Sequence, residues 1–324
     1  SPYSPIPNCR LLLGVNGKKT FFCNKNKIDK FFVKKFKDMT FVDESLIEVF
    51  FNKLKGKKIM IDKSKLSIFF KDLLKKNNSI IEQIDPINFL KSIKNKTEIK
   101  NSEKSHLLDG VALTKFIFWL EKNYRKKRIT EIDAQNKLLY FRKKSKFFKT
   151  QSFPTISGTG PNGAIIHYKA NSKSNRVLSK GDIYLVDSGG QYNYGTTDVT
   201  RTISLGNKNT RIKNIFTRVL KGHIAVANFK LKNNTTGSEI DKVARSPLKK
   251  IKLNYEHGTG HGVGYYLNVH EGPQAFSKNN NFKLLEGMII SNEPGYYEKG
   301  KFGIRIENLI TIKKITNKLS FQNL

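Results

Sequence analysis

Apolar and polar positions along the first ninety residues fall into two kinds of run. Residues 10–15 (RLLLGV) and 58–61 (KIMI) are short and mostly apolar, the pattern of buried strands, whereas 43–55 (DESLIEVFFNKLK) and 65–74 repeat their apolar positions every three to four residues, as amphipathic helices do. Strands and helices mixed in this way predict a small α/β unit. Residues 97–104 are polar, and beyond them Leu107, Leu108, Val111, Phe116, Ile117 and Leu120 recur at i, i+3, i+4 spacing. That spacing predicts a helix with Trp119 on its core-facing stripe and a domain boundary near residue 96. A second helix is predicted from Thr130-Glu131-Ile132-Asp133, where the hydroxyl caps and the acid occupies the first turn. Further helices are predicted over 210–231 and 238–244, the latter stopped by Pro247. Strand-like runs at 183–186, 199–205, 287–291 and 304–312 complete the pattern. The expectation is a smaller α/β domain over 1–96 followed by an α+β domain over 97–324.

A chain of 324 residues with 38% hydrophobic and 11% aromatic content can fill two cores, so global disorder is not expected. Cys9 and Cys23 alone cannot build a disulfide framework or a four-cysteine zinc site. No run approaches the ~18 uninterrupted apolar residues of a membrane span, and residues 1–5 have no signal-like apolar stretch, so a cytoplasmic protein with no membrane partner is expected. The formal charge of +34 raises the question of polyanions, which a basic surface binds by releasing counterions. The excess is spread along the chain, however, and consists of 50 Lys against 10 Arg. Specific reading of bases and phosphates draws on the Arg fork, so no specific nucleic-acid partner is expected.

The acids carry the first chemical signal. Residues 151–324 hold only eleven of them, and four stand on strand-like stretches beside glycine or turn residues: Asp187, Asp198, Glu293 and Glu307. A carboxylate on an apolar strand is costly to bury unless a cation neutralises it. Gly189-Gly190 and Asn193-Tyr194-Gly195 allow a reversal between Asp187 and Asp198, which predicts a hairpin with the two aspartates on neighbouring strands. Glu293 and Glu307 flank the Gly- and Lys-rich turn at 294–303 in the same manner. Histidine carries the second signal. His167, His257, His261 and His270 lie in Gly-rich or apolar settings, whereas His106 and His223 sit on predicted helices and read as structural. His257 and His261 have the spacing of helical zinc ligands, but the glycines of HGTGHGVG make a helix improbable and no HExxH glutamate lies between them. A looped backbone would let one ring bind metal while the other faces substrate. Oxygen ligands with a single imidazole suit a hard divalent pair such as Mn²⁺.

Residues 184–206 (YLVDSGGQYNYGTTDVTRTISLG), 257–274 (HGTGHGVGYYLNVHEGPQ), 292–297 (NEPGYY), 303–308 (GIRIEN) and 153–168 (FPTISGTGPNGAIIHY) resemble the Xaa-Pro aminopeptidases, or aminopeptidases P, of the pita-bread metallopeptidase superfamily, whose other members include methionine aminopeptidase and prolidase. The resemblance implies an α+β pita-bread catalytic domain preceded by a smaller α/β creatinase N-terminal-like domain. It implies two divalent metal ions, Mn²⁺ by family habit, with Asp187 chelating one, Asp198 and Glu307 bridging, and His261 and Glu293 completing the set. It further implies that His257 and His270 hydrogen-bond the substrate carbonyl and the tetrahedral intermediate, that His167 lines the substrate side, and that Arg305 holds a carboxylate ligand in place. The implied activity is hydrolysis of the N-terminal Xaa-Pro bond of peptides with proline in second position. Alternatives are a prolidase-like dipeptidase and a non-catalytic pita-bread domain that binds nucleic acid or protein. A homodimer is compatible with the resemblance, and so is an internal piece of a longer family member, lacking a preceding α/β domain and the end of the catalytic one.

Overall fold

The computed structural model describes residues 3–4, 8–316 and 318–324. These form two compact units, one within residues 8–87 and the other comprising 88–324 together with residues 3–4.

In the first unit, strands Cys9–Leu13 and Lys19–Cys23 form an antiparallel pair, and Met39–Asp43 joins the latter in parallel. A separate parallel pair unites Lys58–Ile61 with Ser79–Glu82. Helices Ile47–Lys53 and Ile68–Lys75 contribute Phe51, Leu73 and Leu74 to a core shared with Phe22, Ile59 and Ile61. Two expectations change here. The run at 10–15 is an edge strand rather than a buried one, with Leu11 45% and Leu13 56% exposed. The run at 58–61 is half-buried, Ile59 and Ile61 facing in and Met60 facing out. Three apolar residues in a row cannot reveal which face a sheet covers, because alternate side chains point to opposite sides.

The second unit takes in most of the short helix Pro86–Ser92 and continues with helix Lys96–Asn123, so the polar stretch 97–104 falls in the first turns of the latter. Asn95 and Glu98 form a capping box that satisfies the otherwise orphaned amides of that polar start. Helix Glu131–Lys143 packs beside it and carries its own box, Thr130 with Asp133. Helices Thr210–Ala227 and Gly237–Lys249 form a second pair. The first stops four residues short of expectation, where Asn228 caps it and Phe229 and Leu231 pack against the core outside the helix. The second runs through Pro247, because burial of Ile240, Ala244 and Leu248 on one face outweighs the hydrogen bond that proline removes. Small antiparallel sheets accompany the helices: Ile156–Thr159, Ile183–Ser188 and Val199–Ser204 form one, Ile289–Asn292, Asn308–Ile315 and Lys318–Asn323 another. Hairpin Gly295–Glu298/Phe302–Arg305 interrupts the second, so the predicted single strand over 304–312 is two strands parted at residues 306–307. Among the described residues no helix is long and apolar enough to cross a membrane.

The helix pair at the start of this unit is tied to the sheets by a buried cluster. Arg142, 1% exposed, donates from Nε and Nη2 to both oxygens of Asp109 at 2.7 and 2.9 Å, and Tyr192 Oη donates to Asp109 Oδ1 at 2.7 Å. Burial by itself would raise the Asp109 carboxyl, but the Arg142 charge and these hydrogen bonds prevail and hold it below the usual range. Removing one partner leaves the other charge buried and alone. Asp109→Ala should therefore cost about 3–5 kcal/mol of stability, measured by urea denaturation, and a loss below about 1 kcal/mol would show the pair to be dispensable.

Candidate metal centre

Two hairpins and one glycine-rich loop build the site. Ile183–Ser188 pairs with Val199–Ser204 so that Thr200 lies opposite Asp187, and Asp198 enters the same strand one residue earlier. Between the aspartates the chain leaves this sheet as the short pair Gly190–Tyr192/Gly195–Thr196 and returns. Glu293 and Glu307 occupy the break between two ladders: Asn292 pairs with Asn308 on one side of it and Gly295 with Arg305 on the other. The two hairpins are stitched together where Thr202 Oγ1 donates to the Arg305 carbonyl at 2.8 Å and the Glu307 amide donates to the Thr200 carbonyl at 3.3 Å. His261 arrives on Gly260–His261, whose backbone lies so close to the neighbouring strand that a Cβ at Gly260 would sit 1.8 Å from the Ser291 carbonyl oxygen. Only glycine fits there. Gly303 is constrained in the same way, since its Cβ would meet the Gly163 carbonyl oxygen at 1.8 Å, and this brings the 153–168 segment against the 295–305 hairpin.

The result is a cavity of about 460 Å³. Asp187, Asp198, His257, His261, His270, Glu293, Arg305, Glu307 and His167 all line it, so every candidate from the sequence converges on one place. Phe153, Pro154 and Ile166 of the 153–168 segment, together with Val269, add an apolar wall.

Arg305, 2% exposed, donates from Nη2 to Asp187 Oδ2 at 2.6 Å and from Nη1 to Tyr297 Oη at 2.6 Å. Thr200 Oγ1 donates to Glu307 Oε2 at 2.6 Å, and Ser291 Oγ donates to Glu293 Oε1 at 3.0 Å. Thr200, Ser291 and Tyr297 thus orient the charged groups, and none was singled out from sequence. For two of them the signal is spacing: Thr200 stands two residues from Asp198 and Ser291 two residues from Glu293, the interval at which extended residues face the same side.

Burial first, and then the neighbouring carboxylates, push Asp198 and Glu307 well above the ordinary acid range. Burial also raises Glu293, although His261 and Arg305 oppose it. His261 Nδ1 lies 3.0 Å from the Gly262 carbonyl, which can only accept, so the proton sits on Nδ1 and the Nε2 lone pair faces inward. That Nε2 is 3.4 Å from both Asp198 Oδ2 and Glu293 Oε1. A lone pair and two carboxylate oxygens facing one another repel unless a cation lies among them. Asp187 Oδ1 and Asp198 Oδ1 are buried without any hydrogen-bond partner, and ligand atoms of Asp198, His261 and Glu307 lie within 4.8 Å of one another. These residues fit a site for hard divalent cations.

His257 is held differently. Its Nδ1 lies 2.7 Å from the Gly258 carbonyl and so donates, leaving Nε2 to accept from Tyr297 Oη at 2.8 Å. The His270 ring packs on His261 with centroids 3.9 Å apart. Burial, helped by the positive charge of Arg305, brings His257 down to about 3, and burial with its histidine neighbours brings His270 down to about 4. The structural reading of His223 agrees with a buried ring whose Nδ1 contacts the Asn292 carbonyl at 3.0 Å.

The sequence matches the model of metallopeptidase family M24 over residues 100–314 and that of the creatinase/prolidase N-terminal domain over residues 1–98. It is 48% identical over 251 residues to a probable Xaa-Pro aminopeptidase P of Laccaria bicolor, covering 76% of this chain and 39% of that protein. It is 50% identical over 240 residues to aminopeptidase P2 of Arabidopsis thaliana, covering 73% and 34%. The chain therefore spans well under half the length of these curated relatives. The crystal structure of the X-prolyl aminopeptidase of Caenorhabditis elegans, described as a cytosolic enzyme with a di-nuclear active site, matches with a TM-score of 0.88 at 31% identity over 99% of this chain and 55% of that one. Prolidase from Pyrococcus furiosus matches with a TM-score of 0.77 at 25% identity, over 99% and 91%.

Both lowered histidines should be neutral at pH 7. Since the unfolded value is about 6.5, the unfolded chain takes up the proton first, so their share of stability is complete above that pH and is lost as pH falls toward 4 and 3. Histidine-ring NMR from pH 8 to 5 should show the His257 and His270 resonances flat, and a midpoint near 6.5 for either would contradict the burial described above.

Proposed function

Given that the chain belongs to metallopeptidase family M24, we propose that it is the core of a metal-dependent aminopeptidase that hydrolyses the Xaa-Pro bond at the N-terminus of peptides with proline in second position. The pita-bread domain would do so with two divalent ions, Mn²⁺ by the oxygen-rich donor set, in the cytoplasm. The observation that carries the reading is the inward convergence of four carboxylates and the His261 lone pair in one cavity with an apolar wall. Asp187, Asp198, His261, Glu293 and Glu307 would hold the ions, with Asp198 and Glu307 shared between them. Bound there, the pair would make water nucleophilic at neutral pH and offset the charge that develops on the peptide carbonyl.

The remaining work falls to the chain's own side chains. Arg305 pairs with Asp187 and aims it, and through Tyr297 it sets the tautomer of His257. His270, neutral and facing the cavity, can donate a hydrogen bond to the carbonyl oxygen as it gains charge, or hold a proton for the departing amine, whereas His257, its ring proton taken by the Gly258 carbonyl, acts through its Nε2 lone pair and the Tyr297 hydroxyl that meets it. His167 and the wall of Phe153, Pro154, Ile166 and Val269 exclude water and receive the pyrrolidine ring and its flanking residues.

Three measurements test this. Asp198→Asn and Glu307→Gln remove the second anionic oxygen of a proposed bridge, so elemental analysis should show metal lost and turnover abolished with the fold intact. Normal metal content and normal turnover would refute the bridging roles. His261→Ala should lose metal and activity together, while His257→Ala and His270→Ala should keep metal and lower kcat by about 10² to 10⁴. Equal metal loss in all three would overturn that division. The metal-reconstituted chain should cleave Arg-Pro-Pro peptides and spare a non-proline control. Cleavage of Gly-Pro dipeptides alone would favour the prolidase-like reading, and salt-resistant nucleic-acid binding without hydrolysis would favour the binding-module one.

A further inference from the structure

Glu271 follows His270 directly and has no part in the chemistry above. It is 6% exposed, and neither carboxylate oxygen receives a hydrogen bond. Its ion-pair partner is Lys91, whose Nζ lies 2.9 Å from Oε2. Lys94, three residues further along the chain, just past the end of helix Pro86–Ser92, is 4% exposed and adds a buried ammonium. Burial brings it down to about 8 while the Glu271 charge opposes that fall. A carboxylate this buried with so few partners costs more than an apolar side chain of similar volume. The cost is met one residue from a ring that faces the cavity.

The surroundings show what this carboxylate holds. The Glu271 amide donates to the Gly262 carbonyl at 2.8 Å, and the Gly262 amide donates to the Gln274 carbonyl at 3.0 Å, so the loop carrying His270 is laced to the residue after His261. Oε2 rests against Gly264, where an added Cβ would lie 2.7 Å from it. The His261 and His270 rings, packed at 3.9 Å between centroids, hang from opposite sides of this lacing. A shift of either strand must therefore move both rings.

We infer that Glu271 is a positioning residue: clasped by Lys91 and seated on Gly264, it fixes the 262–274 loop and so the orientation of the His261 and His270 rings. The kinetic part of this inference rests on the proposed peptidase reading, and the spectroscopic part does not. Glu271→Gln and Lys91→Met, singly and together in the 324-residue chain, test it. In the metal-free protein, ring resonances of His261 and His270 should shift in both single variants while those of His106 and His223 stay in place. Unmoved His261 and His270 resonances would overturn the inference whatever the activity. With Mn²⁺ loaded, each single variant should lose about ten- to a hundredfold in kcat with KM within about twofold, the double variant should be no worse than the poorer single, and Lys91→Arg should restore kcat. Lowered thermal stability with unchanged kcat would show a merely structural role and overturn it. Should the parent chain hydrolyse no Xaa-Pro peptide, the peptidase reading fails and the ring resonances alone decide this one.

Discussion

Four carboxylates crowded into one cavity repel one another, and the second unit is organised around resisting that repulsion. Burial and mutual charge raise Asp198, Glu293 and Glu307, so ionising each of them costs more where it stands than it would in water. One buried guanidinium, Arg305, offsets part of the charge from the Asp187 side. Hydroxyls offset a little more: Thr200 on Glu307 and Ser291 on Glu293. What is left over is a well of negative potential that a pair of divalent cations would fill. The same features that make the empty arrangement costly would make the occupied one selective for hard, doubly charged ions.

Holding the acids at short range demands a backbone that can approach itself closely. Gly260 against Ser291 and Gly303 against Gly163 supply two such seams, each with no room for a side chain. Around them the ladders are short and interrupted. The break at 293–294 and 306–307 frees two glutamates from regular pairing, yet both stay anchored because Asn292–Asn308 and Gly295–Arg305 pair on either side. The helices lie outside this arrangement. Their task is to bury apolar faces and, through Asp109, Arg142 and Tyr192, to brace the excursion that separates Asp187 from Asp198.

Much of this was legible in the chain. Asp187, Asp198, Glu293 and Glu307 stood out because a carboxylate on an apolar strand is expensive, and the glycines beside them gave the reversals that bring them together. The caps at Thr130 and Asp133 could be read because they depend on residues three apart. Other features are tertiary and leave weaker traces. Pro247 ends a helix on local rules, but the packing of Leu248 carries the helix past it. Residues 10–15 look buried until the sheet is seen to stop there. Thr200 and Tyr297 look like ordinary strand residues, and their importance appears only once Glu307, Arg305 and His257 come from elsewhere in the chain to meet them.

The charge balance of these 324 residues would bear on how a peptide reaches the proposed site. The cavity is anionic, but it is set in a chain of formal charge +34, and two divalent ions would cancel the four carboxylates locally. Within about 10 Å of the surface, roughly the screening length in 0.1 M salt, an approaching molecule would feel the numerous lysines more than the few acids. On the proposed reading, a peptide rich in Lys and Arg would be held off by the field it must cross, whereas one ending in Asp or Glu would be drawn in. Raising the ionic strength would flatten that landscape from both sides, hastening encounters with basic peptides and slowing those with acidic ones, so any preference among first residues and tails would depend on the salt.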